Sequence, residues 1–214
     1  MEKLTYNKFV SDRKKFLEEN KTKDHVVVEG CNSVLISAPH GVPQVRLGKN
    51  KVHEIGALAA ALYLKDKTKS FFIAKTKCNN DDANFDENSK YKNSIRKLIK
   101  DKNIKYIIDF HGLASNRECD VNLGIHLGEN IKNDIELFNK LNEDLISNGF
   151  SVSIDQPFMG GAKTISGSMI KEFENIWTLQ VEINCGITNK KENFERNNKL
   201  LKVFTNWING INKK

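Results

Sequence analysis

Apolar positions fall along the chain in two spacings. Short unbroken runs, HVVVEG at 25–30, SVLISAP at 33–39, SFFIAK at 70–75, KYIIDF at 105–110 and IWTLQVEIN at 176–184, have the length and apolar content of buried strands. DVNLGIHLG at 120–128 and residues 150–154 predict two more. Five segments read as helices: 4–20, with Leu4, Phe9 and Phe16 as sparse apolar anchors; 52–65, rich in Ala and Leu; 88–101, opened by Asn88 or Ser89 as cap; 130–147; and 191–211. The polar run TKCNNDDANFDE at 76–87 reads as a loop, and QPFMGGAKTISGS at 156–168 as a Gly-rich loop. Gly30, Cys31 and Asn32 are turn residues and predict a hairpin between the first two strands.

Strands alternate with helices almost throughout. This pattern predicts an α/β fold with a mixed, mostly parallel sheet flanked by helices on both faces. No internal repeat, low-complexity linker or composition break divides the chain, so residues 1–214 are expected to form one domain. In such sheets the working residues collect at the carboxyl ends of the strands.

Composition narrows the field. The formal charge is +7, from 34 Lys and Arg against 27 Asp and Glu. The lysines are scattered over predicted helix faces and both termini, without a long basic run or an aromatic-basic repeat, which argues against a nucleic-acid partner. No stretch approaches the roughly 20 apolar residues of a membrane span, and the first residues lack the apolar core of a signal peptide. A cytoplasmic location is therefore expected. Cys31, Cys78, Cys119 and Cys185 are far apart, which points to reduced thiols and away from a zinc knuckle or a disulfide framework.

The candidate chemistry lies at the strand ends. Two predicted strands each end in His-Gly, at His40 and at His111. Glu54 opens the helix that follows the loop begun by His40, and a helix start can aim first-turn side chains back at strand ends. Two His and one carboxylate, with a position left for water, is a known set for catalytic zinc. His53, next to Glu54, is the alternative third ligand. Asp109 either faces the site or orients a ligand imidazole. His25 and His126 are read as structural. Glu182 lies inside an apolar strand, where a carboxylate needs a partner or a task; taking a proton from activated water is such a task. Of the five arginines, Arg46 and Arg117 each follow a His-Gly turn, where they can bind a carboxylate or stabilise an oxyanion.

Taken in order, SAPHGV at 37–42, the acidic residue of KVHEIG at 51–56, DDAN at 81–84, IIDFHG at 107–112, DVNLGI at 120–125, PFMGGAKTISG at 157–167 and TLQVEIN at 178–184 resemble the N-formylglutamate amidohydrolase family. That family is similar in core to the zinc carboxypeptidases and to the succinylglutamate desuccinylase and aspartoacylase group. The resemblance implies a phosphorylase/hydrolase-like fold, one zinc ion held by His40, an acidic residue and His111, and Glu182 as base or acid–base residue. It also implies that Gly160 and Gly161 line the substrate cleft, with Thr164 a contact, and that Asn84 and Arg117 lie near the substrate. Two positions depart from the pattern. The carboxypeptidase and aspartoacylase groups place the acidic ligand three residues after the first His, where this chain has Pro43, so Glu54 has to serve or the site is built otherwise. Asn84 is followed by Phe85, not by the Arg of the familiar Asn-Arg pair, so a carboxylate-binding arginine is missing or comes from elsewhere.

These readings converge on a zinc-dependent hydrolase that cleaves an amide bond of a small, carboxylate-bearing N-acyl amino acid or a related compound. Glu182 and Arg117 are its expected catalytic residues, Arg46, Asn84, Gly160, Gly161 and Thr164 its substrate contacts, and His40, Glu54 and His111 its metal ligands. Such a ligand set also accepts cobalt, manganese or iron. Two rival readings are a metallopeptidase on short or cell-wall peptides, which needs a longer cleft, and a non-catalytic binding domain that kept the fold.

Overall fold

The computed structural model describes residues 4–211. In chain order its elements are helix α1 (Tyr6–Asn20), strands β1 (His25–Val28), β2 (Val34–Ala38), β3 (Gln44–Arg46) and β4 (Lys49–Lys51), helix α2 (Ile55–Thr68), strand β5 (Phe71–Lys75), helix α3 (Lys90–Lys102), strands β6 (Tyr106–Leu113) and β7 (Val121–Gly124), helix α4 (Ile135–Ser147), strand β8 (Val152–Ile154), helix α5 (Ile165–Glu172), strand β9 (Trp177–Asn184), and helices α6 (Cys185–Thr188) and α7 (Phe194–Ile211). Seven strands form one sheet in the order β1-β5-β2-β6-β9-β7-β8, and β3 and β4 pair separately. β5, β2, β6 and β9 are parallel. β1 joins antiparallel to β5, β7 antiparallel to β9, and β8 parallel to β7. The α/β fold with a mixed, mostly parallel sheet expected from the sequence is the fold observed.

Successive side chains of a strand point to opposite faces of a sheet. On one face Val34, Ile36, Phe72, Ile108, Phe110, Leu179 and Val181 pack with Phe9 of α1, Leu58 of α2, Leu141 of α4 and Phe204 of α7. On the other, Leu35, Phe71, Ile73 and Ile107 pack with Ile95 of α3 and Met169 of α5. Burial on both faces is why the sequence shows continuous apolar runs. The second face changes character toward the carboxyl ends of the central strands. Leu35 is followed two residues on by Ser37, Ile107 by Asp109 and then His111, and Thr178 by Gln180 and then Glu182. All of these polar residues are buried. Burial of ionisable groups is costly unless they are paired, so this corner of the sheet marks a site.

Several local expectations are corrected. β1 and β2 do not form a hairpin, because β5 lies between them. The chain crosses the start of β5 at Gly30, where an added Cβ would lie 2.2 Å from Phe71 N and 2.7 Å from Lys69 O. Only glycine permits that crossing. The strand expected over 120–128 ends at Gly124. The Asp155 carboxylate accepts the backbone N–H groups of Ile125, His126 and Leu127 and draws them into a tight turn in which His126, Leu127 and Gly128 all have positive φ. His126 therefore opens that turn rather than lying within a strand. The following helix starts at Ile135, not 130, where the Asp134 side chain caps Leu137 N. The Gly-rich loop is shorter than expected, because Thr164 caps α5 from inside it. The β3–β4 hairpin was not foreseen; its tip, Leu47 and Gly48, has positive φ at both residues. Among the described residues, no helix is long and apolar enough to cross a membrane.

Candidate functional site

Because β2 and β6 are parallel neighbours, they deliver His40 and His111 to the same carboxyl end of the sheet. Register sets Ser37 beside Asp109 and His111 beside Glu182. Glu54 is the N-cap residue of α2, but its side chain does not cap the helix. Its backbone N–H donates to His40 O at 2.8 Å, and its carboxylate turns toward the strand ends. The two His-Gly pairs have a common physical origin. A Cβ at Gly41 would lie 2.9 Å from Leu58 Cδ2, and one at Gly112 would lie 3.2 Å from Glu54 Cβ. The first turns of α2 press against the residue after each histidine.

The three side chains converge. Glu54 Oε1 is 2.9 Å from His40 Nδ1, and Glu54 Oε2 is 3.1 Å from His111 Nδ1. The two Nδ1 atoms are 3.2 Å apart. The opposite ring nitrogens are anchored: His40 Nε2 donates to Asp82 Oδ1 at 3.0 Å, and His111 Nε2 donates to Asp109 Oδ2 at 2.9 Å. Asp109 is itself fixed by a hydrogen bond from Ser37 Oγ at 2.7 Å. Asp82 accepts from Arg46 Nε at 2.7 Å and from the backbone N–H groups of Asn84 and Phe85. Each imidazole is thus oriented by a carboxylate on its far side, the arrangement that presents the near nitrogen to a metal. His40, Glu54 and His111 offer one ligand atom each, all within 4.8 Å of one another. Two nitrogens and one carboxylate fit a divalent cation.

The electrostatics follow from burial and pairing. Burial pushes the His40 imidazole down, but Glu54 and Asp82 outweigh it and hold it at about 9. His111 is likewise raised well above the ordinary histidine value, with Asp109 and Glu54 overcoming burial. Burial pushes Glu54 up, yet the facing imidazoles hold it below the usual carboxylate range. Asp82 is lowered in the same way by His40 and Arg46. Glu182 goes the other way: burial, aided by Glu54 and Asp109, pushes it up to about 7 against the pull of His111 and His40. Without a metal, protons on the two imidazoles therefore supply the positive charge that Glu54 faces.

A cavity of about 240 Å³ opens beside this group. Gln180 and Glu182 of β9 form one wall, and Arg46, Lys51, Arg117 and Lys163 surround it with four cations. Arg46 and Lys163 both lie over the ring of Phe85, at 4.9 and 5.0 Å from its centroid. The residue that replaces the expected arginine thus gathers two cations at its face. Asn84 and Thr164 line the cavity, but the Asn84 Oδ1 and Thr164 Oγ1 oxygens are engaged within the protein. Asn84 Oδ1 accepts from Ile165 N at 2.7 Å. Thr164 Oγ1 donates to Gly161 O and accepts from Gly167 N. Gly160 and Gly161 build the loop behind the wall: Gly160 has φ +65°, and its carbonyl accepts from Asn130 Nδ2 at 2.9 Å.

His53 is exposed and lies outside the convergent group, whereas Glu54 lies within it. His25 bonds to Asp24 and Ser94, in the structural role expected of it. Sequence reasoning gave no role to Asp82 or Gln180. Both stood inside quoted motifs, and the signal for Gln180 was a polar residue two positions before Glu182 in a buried strand.

No protein-family model matches the sequence, and no curated protein matches it. Solved structures match it in fold. N-formylglutamate amidohydrolase from Ralstonia eutropha JMP134 superposes with a TM-score of 0.59 at 11% identity, over 89% of this chain and 97% of that one. A bacteriophage poly-gamma-glutamate hydrolase gives 0.55 at 14% identity, over 92% of each chain. The zinc-free apo form of YNDL gives 0.53 at 20% identity, over 89% of this chain and 94% of that one. The resemblance seen in the sequence thus extends to the fold.

Proposed function

We propose that this protein is a zinc-dependent amidohydrolase acting on a small N-acyl amino acid or related amide that carries a carboxylate. The observation that carries this reading is the meeting of His40, Glu54 and His111 beside Glu182 in a cavity surrounded by cations. The fold shared with an N-formylglutamate amidohydrolase and a poly-gamma-glutamate hydrolase supports it.

A divalent ion bound by His40, Glu54 and His111 would supply a Lewis acid and lower the pKa of water. The chain's own residues do the rest. Asp82 and Asp109 hold the imidazoles in the tautomer that leaves Nδ1 free. Glu182, poised at about 7, takes a proton from the attacking water and passes it to the leaving nitrogen. Arg117 lines the cavity without a side-chain partner among the described residues, and Arg46 keeps its terminal nitrogens beyond the Nε that Asp82 engages. Both are placed to meet a substrate carboxylate or an oxyanion. The cavity is below the roughly 300–1,000 Å³ of sites for drug-sized ligands, which favours a small molecule over a peptide.

The test is elemental analysis of protein purified without chelators, beside His40→Ala and His111→Ala, with a hydrolysis screen of N-formyl, N-acetyl and N-succinyl amino acids against dipeptides. One equivalent of zinc, lost in both variants, and turnover of an N-acyl amino acid are expected. Protein that neither holds nor takes up metal would overturn the reading in favour of a binding domain. Turnover of dipeptides alone would move it to a peptidase.

A further inference from the structure

Gln180 precedes Glu182 by two residues on β9, so both side chains leave the same face of the sheet. Gln180 Nε2 donates to Glu182 Oε1 at 2.9 Å. Its Oε1 is buried and has no hydrogen-bond partner. A glutamine that only fills a core bonds both ends of its amide, because a buried orphan acceptor is destabilising. Here one end is engaged and the other is sacrificed, and the engaged end is the one on Glu182. The neighbourhood is shaped around this side chain. Gly124 is its register partner on β7, and a Cβ on Gly160 would lie 3.3 Å from Gln180 Cβ.

We propose that Gln180 is the positioning residue of the base: it pins Oε1 of Glu182 and leaves Oε2, which carries no hydrogen bond among the described residues, as the oxygen that handles the proton. This rests on the reading of Glu182 as the base. The amide acts only through its N–H, so a side chain of similar length without a donor removes the function and keeps the packing.

The experiment compares Gln180→Met and Gln180→Glu with wild type and with Glu182→Gln in the zinc-loaded protein. For Gln180→Met, kcat should fall about 10- to 100-fold with KM within about threefold, the signature of an interaction that acts in the transition state. In Gln180→Glu the new carboxyl and Glu182 share one proton across the 2.9 Å contact, which withholds the base, so turnover should fall at least as much. The unfolding midpoint of Gln180→Met should stay close to wild type, because removal of the orphan Gln180 acceptor offsets the hydrogen bond that Glu182 Oε1 loses. A core role predicts the reverse: a lower midpoint with kcat retained. A wild-type kcat in Gln180→Met overturns the proposal whatever the midpoint, because a donor that positions the base cannot be removed without slowing the proton transfer. If Glu182→Gln is inactive while Gln180→Met is fully active, only the role of Gln180 falls. If Glu182→Gln keeps wild-type turnover, the base assignment falls and this proposal with it.

Discussion

Glu182 and the two imidazoles show how far single side chains are set by their neighbours. Among the described residues no cation is bonded to Glu182, so burial dominates and its pKa rises to about 7. Glu54 is only partly exposed, and burial pushes it up too, but it faces two imidazoles and its pKa falls. The same residue type thus takes opposite charge behaviour according to what surrounds it, which suits the proposed roles of base and ligand. Replacing Glu182 with Gln should leave metal content intact and reduce kcat by about 10²–10⁴-fold, the usual weight of positioned proton transfer. Retained turnover in a stopped assay would rule out the base role. Asp109→Asn and Asp82→Asn change only the groups behind the histidines. Each should weaken zinc binding by about 10- to 100-fold, read by competition with a chromogenic chelator; unchanged affinity would reduce both aspartates to packing. Sequence spacing alone exposed His40, His111 and Glu182, because each interrupts an apolar run at a strand end. It gave Asp82 no role, because a polar loop carries no periodicity from which burial can be read.

Elements place these residues through their ends. α2 is the element on which the site depends: its cap residue is Glu54, and its first turns press on both His-Gly pairs. Gly112→Ala would put a methyl 3.2 Å from both Glu54 Cβ and Cys185 Sγ. Titration of this variant should show weakened metal binding with the fold kept; undiminished zinc affinity would mean that α2 yields easily. The Gly-rich segment works differently. Gly160 has positive φ, and a Cβ there would meet Gly124 O at 2.9 Å. Gly160→Ala should therefore lose at least about 1–2 kcal/mol in denaturant unfolding, from the left-handed backbone alone. A wild-type midpoint would show that the loop relaxes. At this scale the strand and helix runs were legible, while pairings were not. The turn residues at 30–32 suggested a hairpin, and only the packing shows β5 inserted between β1 and β2. A turn signal reports local chain reversal and says nothing of which strand fills the gap.

The whole molecule couples this site to stability. In metal-free protein His40 has a pKa of about 9 against an ordinary 6.5. The folded state then binds more protons than the unfolded state between those values. Stability from this group is full below 6.5 and is lost as pH rises toward 9. Glu182, at about 7 against an ordinary 4.5, acts in the same direction over its own window. Glu54 and Asp82, both lowered, contribute above the ordinary carboxylate range and lose their contribution on acidification. The chelated protein should therefore be most stable at mildly acidic pH and lose melting temperature toward pH 9. Zinc competes with the imidazole protons, so the stabilisation it gives should grow over the same interval. Calorimetry with and without chelator checks both trends; a zinc effect that shrinks with rising pH would contradict the ligand set.

The sequence by itself determined the α/β architecture, because doubly buried parallel strands must be written as continuous apolar runs. It also determined the residue types of the site, because ionisable groups at the ends of such runs are conspicuous. The tertiary structure decided which of them meet. Parallel register levels His111 with Glu182, the β2 and β6 ends bring His40 to His111, and the start of α2 selects Glu54 over His53. Those choices depend on contacts between segments far apart in the chain, made by packing across the sheet rather than by any local preference.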